Sequence, residues 1–527
     1  MTEGGIGGIL LTYALVVKWI SLLASNQPLG VRIPPGAQRF MNVKGKIPHE
    51  VKDVITALED KGYLAYAVGG AVRDIIMGRE PKDWDVATSA KPDEVIKIFP
   101  ESVYENQFGT VGVKTRFENE TISLIEVTTF RKEGRYSDYR HPDEIKFADT
   151  IQEDLARRDF TINALAVSLK DGIEDPFDGQ EDINKKIIRT VGKPEERFKE
   201  DALRLMRAIR FAAELGFDIE PQTFTAITEN ADLLQKIAEE RIRDELVKII
   251  MSEESGPAWG VTQMEKTGIL KYVIPELAEG IGVTQNKHHI YTVWEHNMRA
   301  LDYAAKNKTP LEVRLAALLH DVGKPRAKTG NGPEATFHAH EIIGARMTRK
   351  IMERLKFSKE LTEKVTHLVR HHLFYYNVGE VTAAGVRRFI SRVGEENIDD
   401  LLKIREADRI GSGVPKAVPY KTRHLRFMID KVRRDPISPR MLKINGTKLM
   451  EHLKILPGPK IGMIIGILLE EVLDEPKKNK EEALLKRAEK LDKLNEEELV
   501  KMAKKAKEAK MEFEGEAEEE MKKKYKV

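Results

Sequence analysis

The spacing of apolar residues changes character once along this chain, and that change limits the folds it can adopt. Up to about Phe147 short strand-like runs dominate, at Tyr63 to Val68, Asp83 to Thr88, Gly109 to Phe117 and Ile122 to Thr129. A helix precedes them at Pro48 to Lys61, where Val51, Val54, Ile55 and Leu58 share one face, and Gly69-Gly70 opens another through Arg73, Asp74 and Ile75. From Leu155 onward the spacing is helical almost throughout, with apolar runs at Ile162 to Val167, Ala202 to Phe211, Phe224 to Leu234 and Ile242 to Ile250. The pattern predicts an α/β head, a small mixed β-sheet with helices ending near Phe147, followed by a long all-α body. No solenoid-like repeat is visible.

Composition narrows this further. A chain of 527 residues has room for several domains, and a hydrophobic share of 41% excludes a mainly disordered one. Its 87 basic and 85 acidic residues nearly cancel, so a nucleic-acid partner has to be held by local patches. With no cysteine, disulfide frameworks, thiolate metal sites and cysteine nucleophiles are excluded, and any metal must use His, Asp or Glu. The absence of thiols fits a reducing, cytoplasmic location. The apolar stretch Gly8 to Ala24 carries Lys18 in its middle and is followed by no small-residue cleavage site, so neither a membrane span nor a secretion signal is expected.

Asp83 and Asp85 flank Trp84 on an expected strand, and alternation puts both carboxylates on the same face, as in a divalent-metal clamp. Gly69-Gly70 is either a tight turn or a helix N-terminus whose amides hold a phosphate, with Arg73 facing the same anion. Glu126 either adds a third carboxylate to that rim or is a surface charge on an edge strand. Such a set suits metal-assisted nucleotidyl transfer, in which one ion lowers the pKa of the attacking hydroxyl and another neutralises the leaving phosphates. Mg2+ is the natural ion for all-oxygen ligands.

The strings Gly69-Gly70-Ala71-Val72-Arg73-Asp74, Asp83-Trp84-Asp85, Glu126-Val127-Thr128-Thr129-Phe130-Arg131 and Arg157-Arg158-Asp159-Phe160-Thr161-Ile162-Asn163-Ala164 resemble the bacterial class II nucleotidyltransferases. These comprise the CCA-adding tRNA nucleotidyltransferases and the bacterial poly(A) polymerases. The likeness continues in order through Asp175-Pro176-Phe177-Asp178-Gly179, Glu200-Asp201-Ala202-Leu203-Arg204 and Glu240-Arg241-Ile242. It implies a nucleotidyltransferase head over 41–155 and a helical neck that binds RNA and nucleotide over 156–285. Residues Glu200 to Arg210 read as one helix with Asp201, Arg204 and Arg207 close together at three-residue steps, which by itself is a salt-bridged face. The resemblance implies instead that Asp201 and Arg204 read the base edge of CTP or ATP, the carboxylate accepting from an exocyclic amino group and the guanidinium donating to a ring nitrogen. It also implies that Arg158 and Asp159 bind sugar and phosphates, and that Gly70, Arg73, Arg207 and Arg210 complete the nucleotide contacts. The segment Lys132 to Phe147, with Tyr136-Ser137-Asp138-Tyr139-Arg140-His141-Pro142, resembles the flexible loop of members that add the terminal A.

A second constellation, His296, His320-Asp321, His340, His371 and Asp408, lies in a histidine-rich helical stretch, 286–412, and resembles the HD phosphohydrolase superfamily. The resemblance implies that the first histidine, the His-Asp pair and the last aspartate hold a metal, and that the intervening histidines hold a second metal or a phosphate. A transition metal is the implied ion and 2',3'-cyclic phosphates the implied substrates, unless the unit is a structural body only. Ala339 stands where that family has glycine. Within 413–475, Ile444-Asn445-Gly446 through Leu456-Pro457-Gly458-Pro459-Lys460-Ile461-Gly462 to Glu470-Glu471-Val472-Leu473 resembles the C-terminal helical segment of HD-bearing members, and its basic neighbours Lys421, Arg423, Arg426, Lys431, Arg433 and Arg434 are either tRNA phosphate contacts or a solvated basic surface.

The Lys/Glu-rich tail, 476–527, reads as a solvated, partly frayed helix. Residues 1–40 form an N-terminal extension. Val31-Arg32-Ile33-Pro34 is what the T-loop of a tRNA gene reads as in one frame, which points to an upstream tRNA gene and a start at Met41. Peptide mass spectrometry that found residues before Met41 would refute this. The expected activity is attack of the tRNA 3'-hydroxyl on the α-phosphate of CTP and then ATP, with release of pyrophosphate. Two other readings stand beside it, a poly(A) polymerase with the same chemistry and an HD metal-dependent phosphohydrolase with an RNA-binding head.

Overall fold

The computed structural model describes residues 43–506 apart from 107–108, 116–122, 133–145, 287–289, 415 and 434–440. The expected start at Met41, the loop around Tyr136 to Pro142, Arg434 and the end of the tail lie outside the described residues. By compactness the chain forms two units. The first takes the described residues up to Lys132 with Phe147–Leu155 and Ile162–Gln180; the second takes Lys146, Ala156–Thr161 and everything described from Glu181 onward.

The first unit is built on a mixed sheet. Helix α1 (His49–Glu59) buries Val51, Val54, Ile55 and Leu58, the face read from the sequence. Then come β1 (Ala65–Val68), α2 (Gly70–Met77), β2 (Asp85–Thr88), α3 (Pro92–Ile98), β3 (Val103–Asn106), β4 (Thr110–Lys114), β5 (Leu124–Thr129), β6 (Ala166–Ser168) and β7 (Gly172–Glu174). The sheet order is β3-β4-β5-β2-β1-β6-β7. Its pairings are antiparallel except β2 with β5, which run parallel with Asp85 opposite Glu126. All four residues of β1 are buried, as a central strand covered on both faces requires.

Two expectations about the sheet need correction. It does not end near Phe147, because β6 and β7 extend it. The run Ile162 to Val167, expected as helix, is a short 3-10 turn at Thr161–Asn163 leading into β6. Every residue from Ile162 to Val167 is buried, and a strand covered on both faces loses the alternation that would distinguish it from a buried helix.

The second unit is helical. Its first part contains α4 (Pro194–Glu200), α5 (Arg204–Leu215), α6 (Glu239–Met251) and α7 (Pro257–Lys266). The stretch Glu200 to Arg210 is not one helix. Asp201 has extended backbone and ends α4, its carboxylate accepting from the Leu203 amide at 3.0 Å in the turn that leads into α5. Next come α8 (Val293–Lys306), α9 (Leu311–Leu319), α10 (His340–Arg354), α11 (Lys359–His371), α12 (Ala383–Val393) and α13 (Ile398–Gly411). Ala300 and Ala304 of α8, Ala317 of α9 and Ala407 of α13 form a buried cluster of side chains small enough for the three helices to pack closely. Arg314, 1% exposed, links α9 to the end of α6 by donating to the Ile250 carbonyl at 3.1 Å and to the Thr309 carbonyl at 2.9 Å.

The C-terminal part holds α14 (Tyr420–Val432), α15 (Gly446–Leu453), α16 (Pro459–Asp474) and α17 (Glu481–Asp492). Buried Arg387 of α12 donates to the carbonyls of Leu473 and Asp474 at 2.6 and 3.2 Å, satisfying the last turn of α16. Among the described residues no helix is long and apolar enough to cross a membrane.

Candidate functional site

In the first unit three carboxylates gather at the N-terminal end of β2. Exposure runs exposed, buried, half-buried over Asp83, Trp84 and Asp85, so the acids share a face while Trp84 enters the core at 4% exposed. The strand itself begins at Asp85, two residues later than the pattern suggested. On β5 the alternation is clean, with Ile125, Val127 and Thr129 buried and Glu126 exposed. Because Glu126 is the register partner of Asp85 on a parallel neighbour, the two carboxylates project from the same face of the sheet. Glu126 is not an edge-strand charge, since β4 covers the far side of β5.

The turn before α2 requires glycine at its first position. Gly69 has φ +76° and ψ −134°, which side-chain-bearing residues rarely adopt, and its amide donates to the Leu165 carbonyl at 3.0 Å. Gly70 begins the helix proper. Arg73 is buried and held within this unit, donating to Asn163 Oδ1 at 2.8 Å and through Nε to Asp74 Oδ1 at 2.8 Å. Its guanidinium joins the Gly-Gly helix to the segment ahead of β6.

The second unit assembles the remaining motif residues. Asp159, which lies between two head segments in sequence, receives a fork of hydrogen bonds from Arg207, through Nε at 2.8 Å and through Nη2. Asp201 pairs with Arg241 at 3.0 Å, and Arg204 pairs with Glu200 at 2.6 Å while donating to the Arg157 carbonyl at 3.0 Å. Arg210 is buried between Glu245 at 2.5 Å and Glu214 at 2.7 Å. Arg158 lies beside Asp159 in the same short segment, Ala156–Thr161. Asp159, Asp201, Arg204, Arg207 and Arg210 form a dense charge lattice along α5, each held by a named protein group. Arg241, not singled out by the sequence, lies inside the string Glu240-Arg241-Ile242, and its pairing with Asp201 has no signature in spacing.

The histidine-rich region converges as the alanine cluster dictates. His296 lies one turn before Ala300, His320 just past Ala317, and Asp408 beside Ala407. His296 Nε2 is 2.8 Å from His320 Nε2, 3.0 Å from Asp321 Oδ2 and 3.5 Å from Asp408 Oδ1. Among the described residues two groups could hold a metal ion: His296, His320 and Asp408, and, next to them, Asp321, His340 and His372. Asp321 borders both, with Oδ2 toward His296 and His320 and Oδ1 within 3.4 Å of His340 and 3.7 Å of His372.

The orientation of the rings supports this assignment. His320, His340 and His372 each place Nδ1 2.7–2.8 Å from the carbonyl three residues earlier, at Ala317, Phe337 and Val369. A donor at Nδ1 leaves Nε2 with its lone pair turned into the cluster, which is how ligating histidines are commonly oriented.

His371, expected among these ligands, is not in either group. It stacks near His367 with ring centroids 4.5 Å apart, and His372 takes its place. The buried stripe of α11 runs through Val365, Leu368 and Val369, and the next inward position in that helical phase is 372. Sequence reasoning also missed Lys324, whose ammonium lies 2.5 Å from Asp321 and 2.7 Å from Gln285 Oε1, and Arg405, 2.7 Å from Asp408.

Burial works to raise the Asp321 carboxyl, but Lys324 and His320 outweigh it and hold it well below the usual carboxylate range. Arg405, with His296 and His320, overcomes burial at Asp408 in the same direction. Burial pushes His372 down to about 3, so it is a neutral ring at physiological pH. Ala339, where glycine was expected, has φ +58° and ψ 21°, left-handed backbone that explains the preference for glycine there. Gly411 of α13 lies so close to α8 that a Cβ would come within 2.9 Å of His296 Nδ1.

With this geometry in place, comparison with known proteins is direct. Residues 65–189 match the family model described as poly A polymerase head domain, 216–281 the probable RNA and SrmB-binding site of polymerase A, and 288–412 the HD domain. Fold and site together define a nucleotidyltransferase of the polymerase-head type that carries an HD domain. A CCA-adding enzyme of Enterococcus faecalis is 33% identical over 459 residues, covering 84% of this chain and 97% of that protein. One of Levilactobacillus brevis is 44% identical over 234 residues, 43% of this chain, so that match spans 56% of that relative's length. The crystal structure of Bacillus stearothermophilus CCA-adding enzyme in complex with CTP aligns at a TM-score of 0.62 and 27% identity, over 87% of this chain and 98% of that one. The chain belongs to the CCA-adding enzyme family.

Proposed function

We propose that this chain completes the 3' end of tRNA by adding C, C and A from CTP and ATP without a nucleic-acid template, in the cytoplasm. The observation that carries the reading is the Asp85–Glu126 register pair beside Asp83, in a chain whose near full-length relatives are CCA-adding enzymes. The donor set at this rim is three carboxylates, which fits a hard divalent cation. Asp83 and Asp85 would hold Mg2+, which when bound lowers the pKa of the attacking hydroxyl and neutralises the leaving phosphates. Glu126 would take the proton of the tRNA 3'-hydroxyl. Asp201 and Arg204 would present acceptor and donor to cytosine or adenine, exchanging their present partners Arg241 and Glu200 for the base edge. Arg158, Asp159, Arg207 and Arg210, with Gly70 and Arg73, would order the sugar and phosphates. Incubation with tRNA lacking its CCA end and with labelled CTP and ATP, together or singly, should give ordered C, C, A. A long A tract would indicate a poly(A) polymerase, and no extension would refute transfer.

For the HD region we propose a second activity, hydrolysis of 2',3'-cyclic phosphates, on the match of residues 288–412 to the HD domain and on the donor set there. The imidazole and carboxylate donors of His296, His320 and Asp408, and of Asp321, His340 and His372, fit a transition metal, which when bound activates water for phosphoester cleavage. Metal analysis of purified protein together with a 2',3'-cyclic phosphate hydrolysis assay tests it, and absence of both metal and hydrolysis would leave the unit a structural body.

A further inference from the structure

Helix α14 carries an aromatic face that neither proposed reaction uses. Tyr420 and Phe427 are 60% and 59% exposed, although the same helix buries Thr422, Leu425, Ile429 and Val432 on its inner side. Between them His424 continues the stripe at the i, i+4, i+7 spacing of one helix face. The rings form a ladder: Tyr420 to His424 is 5.9 Å between centroids, His424 to Phe427 6.0 Å, and Tyr376 to His424 6.0 Å. The Tyr376 hydroxyl lies 2.5 Å from His424 Nδ1, which fixes the central ring from outside the helix. In the sequence of α14, YKTRHLRFMIDKV, four cations accompany one carboxylate, and Lys421, Arg423 and Lys431 lie on its exposed surface.

The exposed Tyr420 and Phe427 rings, tilted about the half-exposed His424 and interleaved with lysine and arginine, have a specific chemical complement. A purely apolar partner would leave the cations desolvated, and a double helix offers phosphates but no open base faces. A strand with unpaired bases offers both, since its bases stack on aromatic faces while its phosphates meet the cations. We propose that Tyr420, His424 and Phe427 form a stacking platform for unpaired bases of RNA. This rests on the reading of the chain as acting on tRNA, and goes beyond it by separating a base-stacking role from the phosphate contacts of the basic residues.

The test uses the full-length protein. In a Phe427→Trp variant, titration with a single-stranded RNA octamer should quench and shift the indole emission. An RNA duplex of the same length and the polyanion heparin should not. Tyr420→Ala/Phe427→Ala should weaken binding of tRNA lacking CCA on the order of tenfold for each ring removed. Quenching by heparin equal to that by the octamer, or ring variants that bind tRNA as tightly as the parent, would overturn the proposal and leave the stripe to a protein partner. Addition of CMP and AMP to saturating tRNA is measured in parallel. If addition proceeds while the rings prove neutral, the platform fails and the transferase reading stands; if no addition occurs, it is the transferase reading that fails.

Discussion

The carboxylates on β2 and β5 set the sharpest expectation at the residue scale. Asp85→Asn keeps the shape and removes one negative charge from the rim, and it should lower CMP addition at least about a thousandfold while circular dichroism stays unchanged. Asp83→Ala and Asp85→Ala should likewise abolish transfer in a folded protein, and measurable incorporation by either would refute the assignment. In the HD region the neighbouring histidines separate cleanly: His372→Ala should lower bound metal, and His371→Ala should not, as read by elemental analysis. Ala339 offers a stability test. Its left-handed backbone costs an alanine about 1 kcal/mol that a glycine does not bear, so Ala339→Gly should raise the denaturation midpoint accordingly. Of these features, the common face of Asp83 and Asp85 follows from alternation, while their reading as a metal clamp needed the neighbouring motifs as well. The correct histidine was legible only with helical phase, because two adjacent identical residues differ in nothing except which way the helix turns them.

At the scale of elements, the same distinction between spacing and context holds. Strands β1, β2, β4 and β5 were visible because alternation or bounded apolar runs mark them, whereas β6 was hidden by burial on both faces. The break at Asp201 was hidden for another reason: one residue of extended backbone inside a helix-rich string interrupts the helix without interrupting the side-chain periodicity. Contacts between elements carry two further expectations. Arg314→Met leaves the Thr309 and Ile250 carbonyls without their buried donor and should cost roughly 2–4 kcal/mol in urea unfolding. Glu276 and Arg354 form a two-pronged pair at 2.6 and 2.8 Å. Burial works to raise the Glu276 carboxyl, but the hydrogen bond from Arg354 outweighs it and holds the group below its ordinary 4.5. A depressed carboxyl contributes stability above its unfolded value and loses it as pH falls through the folded value. Arg354→Met should therefore cost on the order of 1 kcal/mol at pH 7, and that difference should fade below about pH 4.5.

For the whole molecule, the carboxylate rim lies in the first compact unit and the histidine cluster in the second, so substitutions at these two sets of residues should act independently. His320→Ala should abolish cyclic-phosphate hydrolysis and leave CCA addition intact, and Asp85→Asn should do the reverse, as measured on one preparation of each variant. The class of fold was readable in the sequence because it follows from periodicity, and the family because its motifs keep their order. What no local pattern conveys is that Ala156–Thr161 belongs to the helical unit although head segments flank it on both sides. The chain thus leaves the head, returns to supply β6 and β7, and leaves again. A fragment cut at residue 155 would strip β1 of its outer neighbour and leave that backbone edge open to pairing with other chains. Gene fusion or recombination with a single crossover could not exchange this head as a cassette, so head and body should be inherited together.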